Sequence, residues 1–233
     1  MFGNKLKEII LGYRANSDTY IRFLRKQGVK IGQNVKIYRP FNTTIDFQNP
    51  HLLTIGDDVQ ITGPVTILTH DYSWCVLKKK YGHIYGNQRK TTIGDNVFIG
   101  WGATILGGTC IGDNVIIGAN AVVNGNIESN AVYAGNPARK IMTLDEYYEK
   151  RKSKQLKEAV DFVKAYKNRF NTIPSEEKLD EYFFLFKPSK LNGKFTEKLK
   201  LMGNYDESNA NFNKNYQFSS YEEFINYCLD KLD

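Results

Sequence analysis

The sequence predicts a mainly β chain built as a β-solenoid, with a short helical leader before it and an α-helical extension after it. Three observations carry that expectation: a six-residue repeat through the middle, a composition ordinary for a folded soluble chain, and the loss of the repeat after Ile141. Read in sixes from Ile93, the chain runs IGDNVF, IGWGAT, ILGGTC, IGDNVI, IGANAV, VNGNIE. The first position is Ile93, Ile99, Ile105, Ile111, Ile117 and Val123, aliphatic each time. The fifth is Val97, Ala103, Thr109, Val115 and Ala121, small or branched. Period six fits neither the i, i+3, i+4 stripe of an amphipathic helix nor the alternation of a plain strand. It fits short strands whose inward residue stacks on its equivalent in the next coil. Glycines 94, 100, 112 and 118 are expected to supply backbone freedom at corners. Asp95-Asn96 and Asp113-Asn114 suit turns, because their side chains bond nearby backbone.

The leader, residues 1–27, reads as two short basic helices. Residues 1–30 carry seven Lys/Arg against two acids, residues 31–142 nine against seven, and residues 143–233 sixteen against sixteen. The excess charge therefore sits on the leader, which reads as a solvated helix face, and nucleic acid is not an expected partner. The solenoid, residues 28–142, begins with Ile31-Gly32, Ile37, Ile55-Gly56, Ile61 and Ile67-Leu68 in one phase. In-phase Thr43 and Asn49 are polar, so the segment TTIDFQNPHLLT is expected to bulge or shift register. Ile67 and Ile93 are 26 residues apart, two more than four sixes, and the aperiodic stretch from Asp71 to Thr92 reads as an insertion. In the extension, residues 143–233, Thr143 to Glu146 forms a capping box that opens a helix to about Phe170. A second short helix is expected from Ser175 through EEKLDEYFFLF and a third from Ser219–Ser220, with residues 187–218 irregular. The aromatic residues within 147–186 are expected to pack the extension on the solenoid or on a neighbour, and the extension to cover the solenoid's open end.

No apolar run approaches the roughly 20 residues that span a bilayer, so no integral membrane segment is expected. Cys75, Cys110 and Cys228 are odd in number and lack metal-type pairing, which points to free thiols in a reducing, cytoplasmic compartment. The chain holds three histidines. His70 stands where the six-residue rhythm breaks into the insertion, and a long loop in a compact fold is usually functional. A histidine titrates near neutral pH and can take the proton of a hydroxyl as it attacks an acyl carbonyl. Its other ring nitrogen needs a partner, and Asp46, Asp57, Asp58 and Asp71 are the candidates. Asp57 and Asp58 read as turn formers, whereas Asp46 reads as a carboxylate facing the acceptor. His83, in mid-insertion, is a candidate to line the groove, and His51 reads as a turn residue.

The I-G-D-N-V repeats, the segment TILTHDYSW and the closing AVYAGNPARKI resemble the hexapeptide-repeat acyltransferases, and within them the maltose, galactoside and capsular-polysaccharide O-acetyltransferase branch. The resemblance covers residues 28–142. It implies a left-handed parallel β-helix, a triangular prism of 18 residues per turn, assembled as a homotrimer with active sites between subunits. It implies acetyl-CoA as co-substrate and no metal, a saccharide or sugar-nucleotide acceptor, and His70 as general base. Acceptor-binding residues would be Asp46, Asn42, Asp71 and His83. The cofactor would meet Trp101, Ala119, Asn124 and Gly125, with Arg139 and Lys140 at its phosphates, where a planar fork and a point charge suit anionic oxygens. The expected reaction is acetyl transfer to a sugar hydroxyl in bacterial surface-polysaccharide synthesis. Alternatives within the fold are acetylation of a sugar amine, serine or a xenobiotic, a non-catalytic scaffold, and a γ-class carbonic anhydrase. The last needs three histidine ligands at H-x4-H-like spacing, and no pair here has it.

Overall fold

The computed structural model describes residues 11–191, 193–214 and 216–231, and the chain divides into two compact units, Met1–Tyr147 and Tyr148–Asp233. The first predicted leader helix lies outside the described residues. The first unit is a parallel β-helix. Its strands fall three to a coil: β1 (Lys30–Ile31), β2 (Lys36–Ile37) and β3 (Thr44–Ile45), then β4 (Leu53–Ile55), β5 (Gln60–Ile61) and β6 (Thr66–Ile67). A hairpin of β7 (His70–Asp71) and β8 (Asn87–Gln88) leaves the coil, and helix Trp74–Tyr81 sits between them. The coil resumes with β9 (Thr91–Ile93), β10 (Val97–Ile99), β11 (Thr104–Ile105), β12 (Cys110–Ile111), β13 (Val115–Ile117) and β14 (Val122–Val123). β15 (Asn126–Ile127), β16 (Ala131–Ala134) and β17 (Arg139–Thr143) close it.

Equivalent strands stack into three parallel sheets, β1-β4-β9-β12-β15, β2-β5-β10-β13-β16 and β3-β6-β11-β14. The register aligns Ile31, Ile55, Ile93, Ile111 and Ile127 on the first sheet. Ile37, Ile61, Ile99 and Ile117 align on the second, and Ile45, Ile67, Ile105 and Val123 on the third. All of them are buried. Burying each such side chain contributes about 1.5–3 kcal/mol, so the ladder is the main source of the unit's stability.

Two expectations change. The repeat glycines serve close approach: a Cβ on Gly94 would stand 2.3 Å from Asp113 Oδ1 and 2.8 Å from the Gly112 carbonyl carbon. The left-handed backbone at that corner falls instead on Asn34, Asp58, Asn96, Asn114 and Asn130, residues whose short polar side chains tolerate it. There Asp57, Asp95 and Asp113 each accept a backbone N–H from the coil before, those of Gln33, Asp57 and Asp95 in turn. The first coil does not keep the six-residue phase either. Its third inward residue is Ile45, eight residues after Ile37, because Thr43 is drawn into the preceding corner.

The first coil has no coil before it, so half its backbone groups need another partner. Helix α1 (Ser17–Gln27), capped by Asn16, supplies it. Ser17 Oγ accepts from Ile37 N at 2.9 Å, and the Tyr20 hydroxyl accepts from Ile45 N at 3.2 Å while donating to Thr43 O. Tyr20 and Leu24 are fully buried in the coil's core. At the other end β17 pairs antiparallel with β16.

The second unit has a core of its own, in which Ala159 and Val163 of helix Leu144–Phe170 meet Leu179, Phe183, Phe186, Phe224 and Cys228. Thr143 and Glu146 form the predicted capping box of that helix. The segment EEKLDEYFFLF makes only a short 3-10 turn, Glu176–Leu179, followed by irregular chain that buries Phe183 and Phe186. Residues 187–218, expected to be irregular, contain helices Gly193–Lys200 and Tyr205–Lys214. Their anchors Phe195, Leu199 and Phe212 are buried, and such short helices are held by packing rather than propensity. The final helix is Tyr221–Asp230, with Ser220 as its cap.

Tyr20→Phe keeps the ring but leaves the Ile45 N–H without its buried acceptor. It should lower the unfolding free energy by about 1–3 kcal/mol, read from urea denaturation, and an unchanged midpoint would remove the helix from its capping role.

Candidate active site

His70 begins β7, at the corner where the chain leaves the third sheet. Asp46 follows β3 and occupies the same corner one coil earlier, and the register that pairs Ile45 with Ile67 carries it beneath Thr69 and His70. Its Oδ2 lies 2.6 Å from His70 Nδ1, 2.5 Å from Thr69 Oγ1 and 3.0 Å from Thr69 N. Its Oδ1 accepts from Gln48 N at 2.9 Å. Asp46 is buried at 8% exposure, which by itself would raise its pKa. The bonds from the Thr69 hydroxyl, the Gln48 and Thr69 N–H groups and His70 outweigh that burial and hold the carboxyl below its usual range. Asp46 is therefore an ionised acceptor, the proton of the pair rests on His70 Nδ1, and Nε2 is the ring nitrogen left outside the pair.

The surroundings hold this ring in place. Tyr72 meets it edge-on at 5.0 Å between centroids, and the Tyr72 hydroxyl is bonded to the Gln48 amide. Behind it Gly107 of the next coil packs so closely that a Cβ there would be 3.0 Å from Thr69 C and 3.2 Å from His70 N. The base of the hairpin pairs His70 with Gln88 and Asp71 with Asn87. Asp71 accepts from Ser73 N and from the Asn87 amide, and these bonds, Ser73's first, hold its carboxyl below the usual range.

Residues 90–125 match the family described as bacterial transferase hexapeptide (six repeats). Protein CapG of Staphylococcus aureus is 42% identical over 127 residues, 54% of this chain and 73% of that protein. The chain belongs to the bacterial hexapeptide-repeat transferase family. Its three-sheet coil is the left-handed parallel β-helix of that family. Among solved structures, a hexapeptide-repeat-containing acetyltransferase from Vibrio cholerae is 19% identical with a TM-score of 0.45, covering 61% of this chain and 89% of that one. A galactoside acetyltransferase in complex with coenzyme A is 26% identical with a TM-score of 0.43, covering 57% and 73%.

The transferase distributes its other candidate residues over several places. Asn124-Gly125 lies on the His70 corner two coils on, and a Cβ on Gly125 would meet nothing within 4 Å, so backbone is open there. Trp101 and Ala119 stand on the preceding corner, between the second and third sheets, where the Arg39 guanidinium lies 4.7 Å from the Trp101 ring. Asn42 is exposed on that same corner, away from His70. Arg139 and Lys140 are exposed on β17, where Arg139 donates to Ala138 O and Lys140 pairs with Glu128 at 2.7 Å. His83 is exposed and stacks on Tyr85 at 5.9 Å. His51 lies in the 3-10 turn Pro50–Leu52. Asp46 was expected to face the acceptor, but its oxygens are taken by Gln48, Thr69 and His70, and the geometry makes it the partner of His70 instead. Asp71 is engaged in the turn it opens. Gln48, Thr69 and Tyr72 escaped the sequence reading, and only the adjacency of Thr69 to His70 offered a signal. Among the described residues no group of three or more His, Cys, Asp and Glu could hold a metal ion, and no helix is long and apolar enough to cross a membrane.

Asp46→Asn places an amide where His70 needs an acceptor and should reduce turnover by about 10²–10⁴-fold, measured as thiol release from the acyl donor. Because the carboxyl is held below its usual range, its share of stability is complete above the unfolded value of about 3.9 and is lost as pH falls through the folded one. The stability gap between wild type and Asp46→Asn should therefore narrow below about pH 4; a constant gap across pH 3–7 would show that the charge is not what the site uses.

Proposed function

We propose that this transferase moves an acetyl group from acetyl-CoA to a saccharide hydroxyl, with His70 as general base. The observation that carries the reading is the buried Asp46 carboxylate on His70 Nδ1 at 2.6 Å. As the acceptor oxygen attacks the thioester carbonyl, Nε2 takes the hydroxyl proton. Asp46 stabilises the imidazolium that forms and keeps the ring from turning. When the carbon–sulfur bond breaks, Nε2 returns the proton to the departing thiolate, and ring, ester and free thiol are all neutral. Asp46 stays ionised throughout.

Acetyl-CoA would run along the corner from His70 toward the later coils, its arm against the open backbone of Asn124-Gly125. Arg139 and Lys140 are proposed to meet its phosphates, and Lys140 is free to exchange its solvent-exposed Glu128 partner for them, since water screens such a pair. Trp101, Ala119 and Asn42 reach the site only if a neighbouring copy brings its own corner alongside, and His83 lies in the exposed insertion that leaves the coil at His70. This favours a homotrimer with active sites between subunits. The exposed apolar residues of the insertion, Val76, Tyr81, Ile84 and Tyr85, support a shared site. Surface-polysaccharide synthesis in the cytoplasm is the proposed setting.

His70→Ala should fold and bind CoA yet lose about 10²–10⁴ in rate. Near-wild-type turnover would overturn the role of His70. Sedimentation should give an active species of three chains, and activity in a species of single-chain mass would remove the shared groove.

A further inference from the structure

Arg89 leaves the neck of the insertion beside the reacting histidine. Its N–H donates to Thr69 O at 2.8 Å, one residue before His70. Its side chain then crosses the next coil at the same corner, where a Cβ on Gly108 would stand 3.0 Å from Nη1 and 3.1 Å from the guanidinium carbon. A side chain at 108 would crowd it, and Gly108 adopts a φ of +89°, a backbone that favours glycine. Among the described residues this guanidinium makes no hydrogen bond and no ion pair. Asp71 acts on it through space only, its own oxygens being bonded to Ser73 and Asn87. From Asp71 to Thr92 the insertion carries five Lys/Arg against one acid, Asp71, so it brings a net positive charge to the neighbourhood of His70. Such a field concentrates anionic ligands at the cleft it lines.

We propose that Arg89 recognises a carboxylate or phosphate on the acceptor and thereby sets a neighbouring hydroxyl against His70 Nε2. The transferase's acceptor is on this view an acidic saccharide, a uronic or sialic acid unit or a sugar phosphate. The planar fork of Arg binds either anion with two parallel N–H bonds, which fixes orientation as well as position. The donor's phosphates are the other anions at hand, but a pantetheine arm separates them from the thioester carbon. Arg89 is instead anchored by its backbone at Thr69, one residue from His70. Arg89 acts on the acceptor and takes no part in proton transfer. This inference rests on the acetyl-transfer reading above.

The test compares wild type with Arg89→Gln and Arg89→Lys on four acidic probes, methyl glucuronide, methyl galacturonide, N-acetylneuraminate and glucose 1-phosphate, and on neutral methyl glucoside. For the best acidic probe, the ratio of its kcat/KM to that of the glucoside should fall about 10-fold to 100-fold in Arg89→Gln. Arg89→Lys, which keeps the charge without the fork, should retain part of the ratio. An unchanged ratio overturns the proposal. So does a rise confined to the KM for acetyl-CoA, which would move the contact to the donor's phosphates. If wild type acetylates none of the probes, the acetyl-transfer reading fails for saccharides, and titration calorimetry with the same probes still decides on Arg89. Binding of an acidic probe that is lost in Arg89→Gln then supports the anion site; equal binding by both proteins, or binding by neither, overturns it.

Discussion

The stacking of one coil on the next is the constraint from which the rest of the structure follows. Most strands are two or three residues long, too short to exist alone. Each persists because its amides meet carbonyls one coil away while its inward aliphatic side chain rests on the equivalent residue above and below. The same stacking makes both ends of the coil incomplete. Ser17 and Tyr20 supply the missing partners at the first coil, and β17 covers the edge of the second sheet at the last.

Stacking also fixes what stands beside what at a corner. Successive coils are separated by a strand spacing of about 4.8 Å, so groups on one corner of neighbouring coils are held at contact distance without any local motif. Asp46, His70, Gly107-Gly108 and Asn124-Gly125 come from segments far apart in sequence, yet they form one column on the corner after the third sheet. The insertion leaves the coil at this column, where the hairpin pairing of His70 and Asp71 pins it. A buried carboxylate oxygen with three donors, one of them the histidine, is costly unless every bond is made. Here the scaffold makes them all, and so a ring on the surface of the coil is oriented as firmly as a core side chain.

Much of this was legible from residue types alone. The coil could be read from Ile93 to Val123 because each strand places its inward residue six positions after the last, and the rhythm survives any detail of the corners. His70 could be read because the rhythm stops there. The first coil resisted reading. Ile31 and Ile55 are 24 residues apart, a multiple of six, although the structure makes this one coil with extra residues at two corners. The apparent phase through Thr43 and Asn49 was a coincidence of length, and it concealed that Ile45 points inward and that Asp46 therefore faces the next corner. The helices at Gly193–Lys200 and Tyr205–Lys214 were hidden for another reason. Their sequences are polar, and Phe195, Leu199 and Phe212 make helices of them only by burial in the second unit's core.

The sequence by itself determined the coil, its inward ladder, the place of the insertion and the one histidine at its mouth, because all of these are written in local periodicity and its interruption. Tertiary structure alone decided which of four aspartates meets that histidine, that the repeat glycines serve close approach while asparagines take the left-handed turns, and that Arg89 lies across Gly108. Those contacts join residues about a coil apart. Their pairing depends on the total number of residues between corners, a sum over the whole turn that no short window of sequence contains.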